Sequence, residues 1–350
     1  MIRKYILNAF IFTFLVFGVV FAFCKYQNTI SKDVHYFYLV QSEESSKIID
    51  FYSYITKNLS KSDYYKFMKN FDKNSQNEID LFFSRISLIM NAIEKKEDSI
   101  PLFTNKEVFN IKKYNRYLNK NFIKDEKTGY IIVGDLRFID NNTDSHVFYS
   151  QQGVLSIRNK KYFKNKDILD VGAFTGDSAL VLSKYTDGKI YSFEPVKENY
   201  SKLVKNIKIN SAQNDIIPVN YALGNSIGNM DIFSSKDFSA TSSFKYDYAG
   251  KNEKETVKIT TIDDFVNNKN LKIGLIKSDA EGYEYEILKG AEKTIKAQKP
   301  VLLISIYHSP SDFFKIKDLI ESWNLGYNFK IVKLRPSYVI LETMLIAEPS

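Results

Sequence analysis

Two carboxylates bracket two glycines in the run Asp170-Val171-Gly172-Ala173-Phe174-Thr175-Gly176-Asp177. A short apolar strand, 168–171, leads into it, and a helix over 177–184 leads out. Glycines at 172 and 176 permit a tight turn and let a ligand approach the main chain closely. The helix start adds free N–H groups and the positive end of its dipole. A second strand, 189–193, ends in Phe193-Glu194-Pro195. A carboxylate at that place is where a nucleotide-binding α/β fold holds a ribose diol. The glycine spacing departs from the G-x-G-x-x-G of dinucleotide sites, and a pyrophosphate would meet like charge at Asp170 and Asp177. The sulfonium and amino group of S-adenosyl-L-methionine suit acids. These residues therefore favour a methyl-donor pocket over a dinucleotide pocket or a purely structural turn.

A second set of candidates lies downstream. Asp279 and Glu281 follow a strand at 273–277, and His308 follows a strand at 301–307. Open α/β sheets place their chemistry at such strand ends. Any of the three could take a proton from an acceptor hydroxyl, and histidine titrates near neutral pH. They could also hold a divalent cation, although no ligand-spacing rule connects them; the expectation is no metal. The paired acids Asp263-Asp264 read as a helix start capped by Thr261 or Asp263. Ser239-Ala240-Thr241-Ser242-Ser243 reads as a small-residue loop over the site's mouth, and 224–229 reads as a turn.

The elements that must position these residues follow from the alternation of patterns after about residue 128. Strands are expected at 168–171, 189–193, 216–220, 273–277, 301–307, 330–334 and 339–347. Helices are expected at 177–184, 196–210, 283–297 and 312–323. Such alternation predicts a mostly parallel sheet covered on both faces. Two closing strands with no helix between them predict an antiparallel edge hairpin. Residues 29–127 read as a polar helical extension that packs on this domain, 128–350.

Residues 6–23 carry no charge, with Arg3 and Lys4 before them and Lys25 after. The run just suffices to span a bilayer core. It reads as a single-pass anchor over 1–28; a signal peptide lacks its cleavage site here, and a lipoprotein signal lacks a small residue before Cys24. One cysteine excludes a disulfide framework, and the three histidines, His35, His146 and His308, are far apart, against a histidine-cluster metal enzyme. The net charge is +8, but all except six of the 49 basic residues are lysines spread along the chain. Nucleic-acid sites favour a basic stripe with arginines, so no nucleic-acid partner is expected.

The motif at 170–177, Phe193-Glu194-Pro195, Asn220-Tyr221-Ala222-Leu223-Gly224-Asn225, Lys277-Ser278-Asp279-Ala280-Glu281-Gly282-Tyr283-Glu284 and Leu288-Lys289-Gly290-Ala291 together resemble the FkbM-type methyltransferases. The resemblance spans about 140–348. It departs at Ala280 and Tyr283, where members carry Val or Ile and Ala. It implies a Rossmann-like, doubly wound, seven-stranded fold and S-adenosyl-L-methionine-dependent O-methylation of a hydroxyl on a sugar, glycan or related metabolite. Asp170, Gly172, Ala173 and Gly176 would shape the donor pocket, with Asp177 beside them, and Glu194 would hold the ribose. Asn220 and Ala222 would lie near the adenine, and Asp279 and Glu281 would face the transferred methyl group or the acceptor. The donor is made in the cytoplasm, so the catalytic domain is expected on that side of the membrane. An NAD-dependent oxidoreductase and a non-catalytic, membrane-tethered partner with the same fold are the alternatives.

Overall fold

The computed structural model describes residues 36–38, 43–139, 143–235, 238–243 and 253–350. The apolar run 6–23 lies outside them. Among the described residues no helix is long and apolar enough to cross a membrane.

The described residues begin with strand β1 (Tyr36–Tyr38) and helices α1 (Glu43–Asn58), α2 (Lys61–Met68) and α3 (Lys73–Glu94). Strand β2 (Ser99–Pro101), which pairs with β1, precedes helix α4 (Asn105–Asn121). Local chemistry fixes the starts of these helices. Ser60 with Asp63, and Thr104 with Glu107, form reciprocal capping boxes, and Asp72 accepts from the amide of Ser75. A small antiparallel sheet follows, β3 (Phe122–Lys124), β4 (Ile131–Val133) and β5 (Leu136–Phe138), and then helix α5 (Ser145–Ser150).

Next come β6 (Asp167–Val171), α6 (Asp177–Leu182), β7 (Ile190–Phe193), α7 (Lys197–Ile209) and β8 (Ile216–Val219). A four-stranded side sheet is inserted: β9 (Ala222–Leu223), β10 (Gly228–Ser235), β11 (Phe238–Ser243) and β12 (Glu253–Thr260). The chain then runs through α8 (Ile262–Lys269), β13 (Ile273–Ser278), α9 (Glu284–Lys289), α10 (Glu292–Gln298), β14 (Val301–Ser305), α11 (Pro310–Ser322), β15 (Tyr327–Lys333) and β16 (Thr343–Pro349). The main sheet has the order β15-β16-β14-β13-β6-β7-β8. It is parallel except for β16, which runs antiparallel to both neighbours. The expected seven strands and edge hairpin are thus present.

Three details differ from expectation. Residues 239–243 belong to β11, paired with β10, and not to a loop. The last strand starts at Thr343 rather than at 339. The helix expected over 283–297 is broken into α9 and α10 at Gly290. A Cβ on Gly290 would lie 1.9 Å from the carbonyl oxygen of Gly224, so the two backbones touch there. We expect Gly290→Ala to force them apart and lose about 1–3 kcal/mol of stability by overpacking, read as a lower urea midpoint.

The helical extension and the sheet share one apolar core. Phe82 stacks on Phe313 at 4.8 Å between ring centroids, and Phe51 meets Phe313 edge-on at 5.5 Å. These rings join α1 and α3 to α11. Polar clasps add register. Glu44 Oε1 accepts from the amides of Val339 and Ile340, Ser75 Oγ accepts from the Ile331 amide at 3.0 Å, and Lys47 Nζ donates to the His308 carbonyl at 2.9 Å. The extension therefore holds the β15–β16 connection and the end of β14.

Candidate active site

An open cleft of about 960 Å³ of empty space lies at the carboxyl ends of β6, β7 and β13. Its walls include Gly172, Phe174, Asp177, Glu194, Tyr221, Ala222, Lys277, Asp279, Glu281 and Tyr307, together with Asp144, His146, Gln152 and Glu342.

The glycine turn is built as its sequence suggests. Gly172 has φ +71°, and a Cβ on it would lie 1.8 Å from the Asp279 carbonyl oxygen. Only glycine lets β6 and β13 close here. Gly176, at φ +93°, packs against Leu203, and Ala173 is fully buried in the core; neither lines the cleft. Asp170 also lies behind the wall. It accepts from Ser178 Oγ at 2.8 and 3.0 Å and sits 3.2 Å from Lys277 Nζ. Lys277 in turn donates to the carbonyls of Val171 and Gly172 at 3.2 and 2.7 Å. Asp170 thus acts on the turn from below.

Asp177 Oδ1 accepts from the Ser178 amide at 2.7 Å, and its Oδ2 from the Asp144 amide at 2.9 Å. Glu194 accepts from the amides of Phe174 and Val196, each at 3.0 Å, which fixes its carboxylate across the mouth of the turn. Burial pushes Asp177 up to about 7, with the Asp144 charge adding to it, and pushes Glu194 up to about 7 as well. Asn220 does not line the cleft. Its side chain donates to the carbonyls of Glu194 and Pro195 at 2.9 and 3.0 Å, a tie for the loop, and Tyr221 takes the place beside Ala222.

At the tip of β13, Asp279 receives the Tyr307 hydroxyl at 3.5 Å and lies 3.4 Å from His308 Nε2. Burial would raise the Asp279 carboxyl, but the charges of His308 and Lys277 outweigh it and hold it below its ordinary value. Glu281 moves the other way. Burial, with Asp279 and Glu284 as like-charged neighbours, pushes it up to about 7. His308 departs from its expected part. It does not line the cleft, and carboxylates flank both ring nitrogens, with Glu284 Oε1 3.0 Å from Nδ1 and Glu281 Oε2 3.8 Å from Nε2. Burial disfavours its charge, but Glu284, Glu281 and Asp279 overcome this and raise it to about 10. A histidine that keeps its proton at neutral pH is a fixed cation rather than a base.

Residues 170–329 match the sequence model described as the methyltransferase FkbM domain. Those 160 of the 350 residues are similar to an FkbM methyltransferase domain. A crystal structure of methyltransferase FkbM from Methylobacillus flagellatus superposes with a TM-score of 0.51 at 18% identity, over 85% of this chain. This chain spans 60% of that one's length. The hexuronic acid methyltransferase AglP of Haloferax volcanii is 26% identical over 168 residues, which are 47% of this chain and 67% of the relative.

Several cleft residues within and outside the matched span escaped sequence reasoning. Lys277 left a signal: a lysine in an otherwise apolar buried strand needs a buried partner. His146 and Glu342 left none. They come from α5 and from the β15–β16 connection, and their side chains meet at 2.9 Å between His146 Nε2 and Glu342 Oε2. The three histidines are distant in sequence, but the fold brings His146 and His308 to bear on the same Asp279. Backbone strain gathers here too. Gln152, Phe174, Glu281 and Glu342 all line the cleft with φ between 45° and 59°. Non-glycine residues pay for that conformation, and it recurs at functional sites.

These shifts carry a sign. Asp177, Glu194 and Glu281 each have a folded value of about 7, raised above the ordinary carboxyl values of 3.8 and 4.5. Such groups contribute stability below their unfolded values and lose it as pH rises through 7. We expect the ligand-free chain to melt at a lower temperature at pH 8 than at pH 5.5, by differential scanning calorimetry.

Proposed function

We propose that the chain is an S-adenosyl-L-methionine-dependent O-methyltransferase acting on a hydroxyl of a sugar or glycan. The observation that carries this reading is the cleft's donor set. Asp144, Asp177, Glu194, Asp279, Glu281 and Glu342 line it, and among the described residues no arginine does. Such walls repel a pyrophosphate and suit a sulfonium, an ammonium and ribose hydroxyls. The family match and the sugar-modifying relative agree with the reading.

In this mechanism Glu194 accepts from the ribose hydroxyls, and the Gly172 turn bounds the methionine part. Ala222 and Tyr221 flank the base. When bound, the donor supplies a methyl group already activated by its sulfonium. Asp279, kept ionised by His308 and Lys277, orients the acceptor with the Tyr307 hydroxyl. Glu281, poised near neutrality, removes the acceptor's proton as the new O–C bond forms. Alignment of the two substrates supplies a further share of the rate, on the order of several kcal/mol. Residues 6–23 would keep the domain at the cytoplasmic face of a membrane.

Isothermal titration calorimetry with S-adenosylmethionine and with NAD tests the donor. Heat from NAD alone refutes the proposal. Mass spectrometry of glycans from cells with and without the gene tests the transfer, and an unchanged methylation pattern would favour a non-catalytic partner.

A further inference from the structure

Four polar cleft residues lie outside the 170–329 span: Asp144, His146, Gln152 and Glu342. None belongs to the glycine turn or the Glu194 loop. Each is nevertheless firmly placed. The Asp144 amide is bonded to Asp177, His146 is held by Glu342, and Tyr114 of α4 shares a hydrogen bond with Ser145 beside them. Gln152 is 1% exposed, lines the cleft, and has no hydrogen-bond partner for its Oε1. A buried oxygen of this kind is costly unless something donates to it.

We propose that Asp144, His146, Gln152 and Glu342 form the acceptor subsite, and that it takes an uncharged polyhydroxyl sugar in preference to a sugar acid. The proposal rests on the methyltransferase reading above. Its chemistry is that of hydrogen-bond acceptors: the Asp144 carboxyl, the Glu342 carboxylate that His146 engages through Oε2, and the unpartnered Gln152 Oε1 face hydroxyl donors. Its charge is negative. Asp144, Glu342 and Asp279 face the cation of His146, which Glu342 first and then Asp144 and Asp279 hold protonated against the opposing effect of burial; burial raises the Asp144 carboxyl, and Arg335 opposes that from outside the lining. Lys277 is already committed to Asp170 and two carbonyls. Among the described lining residues the cations are Lys277 and His146, both already paired, so a carboxylate on the acceptor would meet repulsion. The acceptor class would then differ from the one named for the archaeal relative.

The test uses the full chain saturated with S-adenosylhomocysteine, titrated by NMR with methyl β-D-glucopyranoside and with the matching glucuronide. The neutral glycoside should bind at least about tenfold more tightly. Asp144→Asn and Glu342→Gln should each shrink that ratio by about tenfold, a shift in selectivity that a merely structural role would not produce. Gln152→Leu should weaken the neutral glycoside while leaving S-adenosylhomocysteine affinity within about twofold, with its melting curve as the check on folding. Equal or tighter binding of the glucuronide overturns the subsite, as does no glycoside binding on a donor-loaded protein. Failure of S-adenosylhomocysteine itself to bind is a separate result, and it overturns the methyltransferase reading.

Discussion

Glu281→Gln lowers kcat by about 10²–10⁴-fold, the usual worth of a positioned general base, while the affinity for S-adenosylmethionine is preserved. The substitution keeps the shape of the side chain and removes only its ability to take a proton. The pH profile supplies the control. Glu281 has to be ionised to act, and its value of about 7 means that the wild-type rate climbs as pH passes through neutrality. Glu194 and Asp177 titrate in the same range, so the limb alone does not identify the base. In the Gln variant the residual rate should lose the part of the limb seen in kcat and keep the part seen in donor affinity. A variant with full kcat would move the role to Asp279.

Asp170→Ala is the second large effect. It strips Lys277 of its nearest carboxylate, 3.2 Å away, leaving the more distant Asp279 and Asp177, and Lys277 is 2% exposed. An uncompensated buried cation costs about 3–5 kcal/mol. The loss would be read as a fall in urea midpoint, together with lost donor binding, because the same lysine ties the carbonyls of Val171 and Gly172. Lys277→Met in the same chain should recover part of the stability, since the pair is then removed as a unit. Strictly additive losses in the double-mutant cycle would show that the two side chains are energetically independent, against this account.

The glycine turn and its carboxylates were legible because their signals are local. Asp170 to Asp177 is a contiguous turn, and Glu194 is one strand away. The sheet was legible because each strand is a short apolar run between breaks. What escaped depended on distance. Asn220 has the right address, but its amide is consumed by the carbonyls of Glu194 and Pro195. The periodicity over 283–297 is continuous, and only the approach of Gly224 to Gly290 breaks the helix. His308 was found at the correct strand end, but its charge state follows from Glu284 and Glu281, whose packing no spacing reveals. The small residues at 239–243 suggested a loop until pairing with β10 made them a strand. His146 and Glu342 are nearly 200 positions apart, and nothing in either neighbourhood points to the other.

Glu44 clasps the amides of Val339 and Ile340, only a few residues before Glu342, and Lys47 grips the backbone at His308. A single turn of α1 thus acts as a buttress for two distant parts of the cleft. Replacing that helix would not be a neutral exchange. It would loosen the flank to which Glu342 and His308 belong and leave the glycine turn untouched, so under the proposed function a lineage could retune what it modifies by altering parts far upstream of the cleft.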